Sequence, residues 1–117
     1  MSVLDQFRLH GRRALITGGT RGIGEGVSRR LVSAGFRVLA AGVAEAELAS
    51  FRPQTGIETA LLDVTNQAAI DRLFSGITAL AGLVNCAGIL QRGQAEFEIE
   101  AFRRTIEVNL TGTMRMC

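Results

Sequence analysis

Four glycines fall within the ten residues LITGGTRGIG at positions 15–24, directly after a short apolar run. Gly18, Gly22 and Gly24 follow the spacing G-x3-G-x-G. Glycine has no side chain, so it lets a ligand approach the backbone closely. Where a strand is followed by a helix, a phosphate is bound by free backbone N–H groups and by the positive end of the helix dipole. The spacing therefore predicts a phosphate-binding turn, in competition with a tight turn that binds nothing. We call residues 18–24 the glycine turn.

Three further polar residues follow apolar segments or interrupt a helical pattern. Asp63 stands in LDV, Asn85 begins NCAG and Asn109 lies in VNLTG. The carboxylate of Asp63 is suited to accept a hydrogen bond from an adenine amino group, and equally suited to cap a helix. Asn85 precedes small residues, which either let a ribose approach or simply form a tight turn. Asn109 is the kind of amide that bends a helix from within.

Apolar runs of strand length alternate with segments of helical period, and these elements must position the polar residues. Because the strands lack strict alternation and are separated by helices, they predict a parallel sheet covered on both faces. The expected fold class is α/β, a doubly wound parallel sheet of the Rossmann type with strand order 3-2-1-4. The predicted strands are 13–17, 36–41, 58–64 and one ending near Asn85.

The segments between these strands predict helices. The first has an apolar face that starts at Ile23 and ends at a cap, Gly35, and the second covers 44–51 before Pro53. Thr65 is the predicted cap of the third, whose inner face contains Ile70. After position 94 one helical pattern continues towards the C-terminus and breaks near position 109. Its shared face consists of Phe97, Ala101, Phe102, Thr105, Ile106 and Leu110.

Four segments, in this order, resemble the short-chain dehydrogenase/reductase family. TGGTRGIG resembles the TGxxxGxG turn of that family, and LDV resembles its acidic turn after the third strand. NCAG resembles its NNAG motif, with Cys86 in place of an asparagine, and VNLTG resembles the segment with its structural and catalytic asparagine. The resemblance implies hydride transfer between a nicotinamide cofactor and a small carbonyl compound or secondary alcohol. It also implies that residues 1–117 form a single, incomplete dinucleotide-binding domain.

The resemblance assigns roles to individual residues. Asn109 is the implied catalytic residue, which organises a water in a proton relay. The implied cofactor-binding residues are Gly18, Thr20, Arg21, Gly22, Ile23, Gly24, Asp63, Val64, Asn85, Ala87 and Gly88.

The choice between NAD and NADP depends on the residues about 20 positions after the glycine turn, where an acidic side chain would bind the ribose 2′-hydroxyl of NAD. That position falls near Gly42, which is neither acidic nor followed by an arginine. Arg21 is placed to reach a 2′-phosphate, whereas Glu45 is a possible acceptor that we expect on the solvent face. Arg21 therefore favours NADP slightly over NAD.

The chain contains no tyrosine, and all 13 of its basic residues are arginine. In the family that the sequence resembles, a tyrosine, a lysine and a serine beyond the asparagine segment carry out proton transfer and carbonyl polarisation. The 117 residues therefore resemble the N-terminal half of an oxidoreductase, for which we expect no turnover by itself. Two alternatives stay open: a non-catalytic nicotinamide-binding module and an interaction protein.

Composition narrows the class of partner. A net charge of +2 with interspersed signs excludes the basic surface typical of nucleic-acid binders. Two cysteines are too few for a disulfide framework, and the single histidine predicts no metal site. No apolar run is long enough for a membrane span, so we expect a cytoplasmic protein. An apolar fourth strand at a sheet edge would pair with another chain, which predicts a homodimer or homotetramer.

Overall fold

The computed structural model describes residues 2–117 and contains one parallel sheet of four strands. Its strand order is β3-β2-β1-β4, as predicted. The register places Ala14 of β1 beside Val38 of β2 on one side and Gly82 of β4 on the other. The strands are β1 (Arg13–Thr17), β2 (Arg37–Gly42), β3 (Ile57–Leu61) and β4 (Gly82–Asn85).

Helices connect and cover these strands. Gly35, with φ of +99°, directly follows the first helix and its C-cap Ala34, consistent with the predicted glycine cap. The helices are α1 (Gly22–Ser33), α2 (Glu45–Ser50), α3 (Gln67–Ser75), α4 (Ile99–Ile106) and α5 (Thr113–Met116), with 3₁₀ turns at Val3–Phe7 and Gly93–Phe97. None of the helices within residues 2–117 is both long enough and apolar enough to cross a membrane.

The core consists of two apolar clusters, one on each face of the sheet. Leu15 and Leu39 belong to one cluster, and Ile16 and Val38 belong to the other. Leu15 and Ile16 are both fully buried, because β1 lies between two strands and is covered on both faces. This is why β1 has a continuous apolar run without alternation.

The third strand is shorter than predicted at its C-terminal end. It ends at Leu61, because Oδ1 of Asp63 accepts hydrogen bonds from the backbone N–H and the hydroxyl of Thr65, at 2.9 and 2.7 Å. This turn is incompatible with an extended strand. The hydroxyl of Thr65 therefore bonds to Asp63 and does not cap α3, so the predicted cap at this residue is wrong. Asn66 caps α3 instead, since its side chain accepts a hydrogen bond from the N–H of Ala69 at 3.0 Å.

After position 94 a 3₁₀ turn is followed by a continuous helical run from Ile99 to Met116, with helical backbone angles at both internal junctions. Between α4 and α5 the backbone forms a π-helical segment, Glu107–Gly112, which accounts for the predicted break near position 109. The segment packs through Val108 and Gly112, both buried. The predicted shared face does not form a core within the described residues: Phe97 and Leu110 are 79% and 64% exposed.

Candidate functional site

A cleft of about 320 Å³ opens where the parallel strands end. Its walls come from the glycine turn after β1, from the residues after β2 and β3, and from the loop after β4. This is the place at which ligands bind in open α/β sheets. The lining residues are Gly18, Arg21, Gly22, Ile23, Gly24, Val43, Glu47, Leu62, Asp63, Val64, Cys86, Ala87, Gly88, Ile89, Arg104 and Val108.

The glycine turn has its shape because side chains are absent. Gly18 adopts φ of +61°, and a Cβ at this position would lie 2.8 Å from the carbonyl oxygen of Cys86. A Cβ at Gly24 would collide with the carbonyl oxygen of Gly18. The buried hydroxyl of Ser28 lies 3.1 Å from the carbonyl oxygen of Gly19 and 2.9 Å from that of Gly24, and donates to them. The turn and the start of α1 are thus packed backbone against backbone.

Gly22 differs from the other glycines of the turn because it has open space around it. It adopts φ of +56°, and a Cβ here would meet no atom within 4 Å. Gly22 and the next two residues form the first turn of α1 and line the cleft. The first N–H groups of a helix have no partner within the helix, and the helix dipole is positive at this end. The cleft wall is therefore suited to bind an anionic group.

Ile23, the first residue of the predicted apolar face of α1, lines the cleft and is 84% exposed, whereas Val27 and Leu31 of that face pack against the core. Gly24 and Ser28 are the buried residues of this helix. The reason is the close contact between α1 and the turn, which leaves room only for small residues at these positions.

Asp63 and Val64 line the cleft beyond β3. Burial raises the pKa of Asp63, but this effect is outweighed by the two hydrogen bonds from Thr65 and by the positive charges of Arg104 and Arg115. The pKa of Asp63 is therefore below its ordinary value of 3.8, and the side chain is a carboxylate at neutral pH. Asp63 stands at the cleft and forms a turn with Thr65, but it does not cap a helix, because Asn66 caps α3. The alternative of a helix-capping Asp63 is therefore wrong, and its contact with adenine stays a prediction.

The loop after β4 is held against β1 by a buried hydroxyl. Oγ1 of Thr17 accepts hydrogen bonds from the N–H groups of Cys86 and Ala87, both at 3.2 Å. Ala87 and Gly88 consequently line the cleft. Asn85, in contrast, does not line it: its side chain is exposed, and its Nδ2 lies 3.9 Å from Sγ of Cys117.

Asn109 acts on the same loop from the π-helical segment. Its Oδ1 accepts from the N–H of Ile89 at 2.8 Å, and its Nδ2 donates to the carbonyl oxygen of Ile89 at 2.9 Å. Ile89 lines the cleft, whereas Asn109 does not and is exposed rather than buried. The geometry assigns Asn109 a positioning contact with the cleft wall.

One corner of the cleft combines side chains from distant segments. The hydroxyl of Thr20, which is buried, donates to a carboxylate oxygen of Glu47, and Nε of Arg21 lies 3.7 Å from the other oxygen. The side chain of Glu47 is only 13% exposed, whereas that of Arg21 is 70% exposed. We call Thr20, Arg21, Gly42 and Glu47 the acidic corner. Thr20 supports this corner without lining the cleft.

Glu47, which lies two positions after Glu45 along α2, was not among the residues predicted from the sequence. Glu45 is exposed at the start of that helix and does not line the cleft. The adjacent Leu48 is half-buried, which is a signal that this side of α2 faces the protein. The other lining residues that were missed are Val43, Leu62, Cys86, Ile89, Arg104 and Val108.

Comparison with known proteins gives a consistent result over most of the chain. Residues 12–117 match the family model described as short chain dehydrogenase. L-xylulose reductase from Homo sapiens is 36% identical over 110 residues, which cover 92% of this chain and 45% of that protein. D-threitol dehydrogenase from Mycolicibacterium smegmatis is 32% identical over 127 aligned residues, which cover 100% of this chain and 49% of that protein.

Solved structures show the same similarity in three dimensions. Serine dehydrogenase from Escherichia coli superimposes with a TM-score of 0.77 at 29% identity, covering 89% of this chain and 52% of that one. A short-chain type dehydrogenase/reductase from Mycobacterium ulcerans gives a TM-score of 0.76 at 32% identity, covering 92% and 44%. The chain spans about half the length of the relatives it matches.

Proposed function

The chain belongs to the short-chain dehydrogenase family, and from this premise we propose that its cleft binds NAD or NADP for hydride transfer to or from a small carbonyl compound or secondary alcohol. The observation that carries the proposal is the open space at Gly22, where the first turn of α1 lines the cleft. A pyrophosphate needs both free N–H groups and room to approach them.

The residues of this chain fit such a cofactor. The N–H groups at the start of α1 would bind the pyrophosphate, while Ala87 and Gly88 leave room for a ribose. The ionised Asp63, with the N–H of Val64 beside it, would accept a hydrogen bond from the adenine amino group. Bound nicotinamide would supply the carbon that gives or takes the hydride. The role of these 117 residues would be to bind and orient the nicotinamide.

Asn109 is the one residue for which we propose a part in proton transfer, on the basis of the family resemblance. Each of its two amide atoms makes one hydrogen bond to Ile89. An amide oxygen has a second lone pair and an amide nitrogen has a second hydrogen. Asn109 can therefore hold a water while it keeps the loop after β4 in place.

The names of the relatives support a carbonyl or alcohol substrate, since L-xylulose and D-threitol are a sugar and a polyol. The absence of tyrosine and lysine supports a more limited activity for these 117 residues alone, namely binding without turnover. We further propose a cytoplasmic location, which the two free cysteines support. We also propose a homodimer or homotetramer, since β4 has only β1 as its neighbour among the described residues.

The proposal is tested by calorimetric titration of the unsubstituted chain and of its Gly22→Val variant with NAD⁺ and with NADP⁺. A β-branched side chain at this position would occupy the space that the pyrophosphate needs, and we expect at least about a hundredfold loss of affinity. Gly11→Val is the matched control. Gly11 also has a positive φ, +76°, and open space around it, but it does not line the cleft.

Thermal unfolding of both variants checks that they are folded, because both introduce the same kind of backbone strain. We expect Gly11→Val to keep the affinity of the unsubstituted chain. Unchanged affinity in a folded Gly22→Val variant would refute the proposed site.

The preference for NADP, which was based on Arg21, stays a prediction. Arg21 lines the cleft and is exposed enough to meet a 2′-phosphate. Its positive charge is, however, paired with Glu47 at 3.7 Å. The acidic corner therefore presents both signs of charge to the cleft.

A further inference from the structure

The end of β2 has no side chain of its own, and groups from other segments fill the space above it. Gly42 is the last residue of β2. A Cβ at Gly42 would collide with the hydroxyl of Thr20 and would lie 3.1 Å from Oε1 of Glu47. The Thr20 hydroxyl and Cδ1 of Leu48 fill the space next to Gly42, and the carboxylate of Glu47, which belongs to α2, lies beside them at the end of β2.

This carboxylate is held in place and still has acceptor capacity. The hydroxyl of Thr20, a buried residue, donates a hydrogen bond to one oxygen of the Glu47 carboxylate. The other oxygen lies 3.7 Å from Nε of Arg21, which is an ion-pair distance but too long for a hydrogen bond. That oxygen remains able to accept a hydrogen bond from a group in the cleft, which Glu47 lines.

We propose that Glu47 selects the ribose 2′-hydroxyl of the dinucleotide, so that the chain binds NAD in preference to NADP. This inference rests on the proposed function. A carboxylate accepts a hydrogen bond from a hydroxyl, and it repels a 2′-phosphate. The acidic group that is missing at the end of β2 is supplied by the next helix.

Arg21 does not offset this effect. A 2′-phosphate that reaches the guanidinium of Arg21 also comes close to Glu47, because the two side chains are an ion pair. The exposed Arg21 side chain is well solvated and screened, whereas the carboxylate of Glu47 is mostly buried. The repulsion between the 2′-phosphate and the mostly buried Glu47 carboxylate therefore outweighs its attraction to the exposed Arg21 guanidinium.

Titration of the unsubstituted chain and of Glu47→Gln with NAD⁺ and NADP⁺ tests the inference. Glutamine keeps an oxygen that can accept a hydrogen bond from the hydroxyl of Thr20, but its side chain carries no charge. We expect the unsubstituted chain to bind NAD⁺ at least about tenfold more tightly than NADP⁺, and Glu47→Gln to reduce this ratio at least about tenfold. Glu45→Gln, on the exposed side of the same helix, is the matched control and should leave the ratio unchanged.

The outcomes separate the inference from the function on which it rests. Tighter binding of NADP⁺ by the unsubstituted chain would overturn the role of Glu47 and support the prediction from Arg21, whether or not the variant folds. An unchanged ratio in a folded Glu47→Gln variant would also overturn it. If the unsubstituted chain binds neither dinucleotide, the proposed function fails, and the inference fails with it.

Discussion

The glycine turn and the acidic corner are adjoining walls of one cleft, but they are built in different ways. The turn consists of seven consecutive residues, and Gly24 packs against the backbone of Gly18 and Gly19 within it. The corner depends on a hydrogen bond between Thr20 and Glu47, which are 27 positions apart in the chain. The turn has no room for an added Cβ at Gly18, Gly19 or Gly24, whereas the acidic corner, built from distant side chains, can be changed in charge without a change in shape.

The loop after β4 belongs to the second kind of wall. It is held by hydrogen bonds from Cys86 and Ala87 to Thr17 of β1 and by a pair of hydrogen bonds between Ile89 and Asn109, 20 positions apart.

Substitutions at Gly18, Gly19 and Gly24 should therefore affect folding and binding together, whereas those at Gly22 should chiefly affect binding. Substitutions at the corner and the loop should affect the turn less.

The largest expected effect compares two glycines of the same helix. Gly24→Ala places a Cβ against the carbonyl oxygen of Gly18, so we expect a loss of about 2–3 kcal/mol in the free energy of unfolding. Gly26→Ala is the control, since a Cβ there meets no atom within 4 Å. A helical alanine in place of glycine should stabilise the chain by about 0.5–1 kcal/mol.

Urea unfolding of the two variants measures this contrast. Equal stability of Gly24→Ala and Gly26→Ala would mean that α1 does not press against the turn, and the description of a tightly packed backbone wall would be wrong.

The loop should respond less strongly. Asn109→Ala removes both hydrogen bonds to Ile89, and we expect a loss of about 1–2 kcal/mol in the free energy of unfolding, since each bond contributes about 0.5–1.5 kcal/mol. Leu110→Ala, an exposed neighbour, should change stability by less than about 0.5 kcal/mol. Chemical unfolding compares the two variants, and an equally small effect at both positions would show that Asn109 does not hold the loop.

The smallest expected effect depends on pH. The pKa of Asp63 is lowered in the folded chain, so its carboxylate stabilises the fold above the ordinary value of 3.8, and this contribution is lost as the pH falls through the lowered pKa. Asp63→Asn should therefore cost under about 1 kcal/mol near neutral pH and progressively less in acid. Asp71→Asn, on the exposed side of α3, is the control.

Urea unfolding at about pH 6 and about pH 3 measures the difference between each variant and the unsubstituted chain. A cost of Asp63→Asn that grows in acid would have the opposite sign and would contradict the lowered pKa.

Much of the fold follows from local sequence. The first strand, the parallel order 3-2-1-4 and the glycine at the end of α1 were all predicted from apolar runs, helical period and glycine placement. The glycine turn was predicted at the place where it lines the cleft. The first strand, the glycine after α1 and the glycine turn depend on residues that are close together in the chain, so short segments are sufficient to predict them. The strand order pairs distant segments, and it was predicted from the right-handed crossover and the order typical of this fold class.

Other features were decided by contacts between distant segments. The exposure of Ile23 depends on how closely α1 approaches the turn, and the choice of Glu47 over Glu45 depends on where α2 lies relative to Thr20. The end of β3 depends on whether Asp63 uses its carboxylate for a turn with Thr65.

By itself, the sequence determined the strands, the helix periods and the glycine turn, because these are local properties, and the alternation of strands and helices determined the order of the sheet through the crossover rule. Only the tertiary structure decided which acidic side chain reaches the cleft and which loop Asn109 holds. Two side chains such as those of Thr20 and Glu47 come together only when the elements that carry them have packed. Their meeting depends on the position of each helix above the sheet, which no short stretch of sequence specifies.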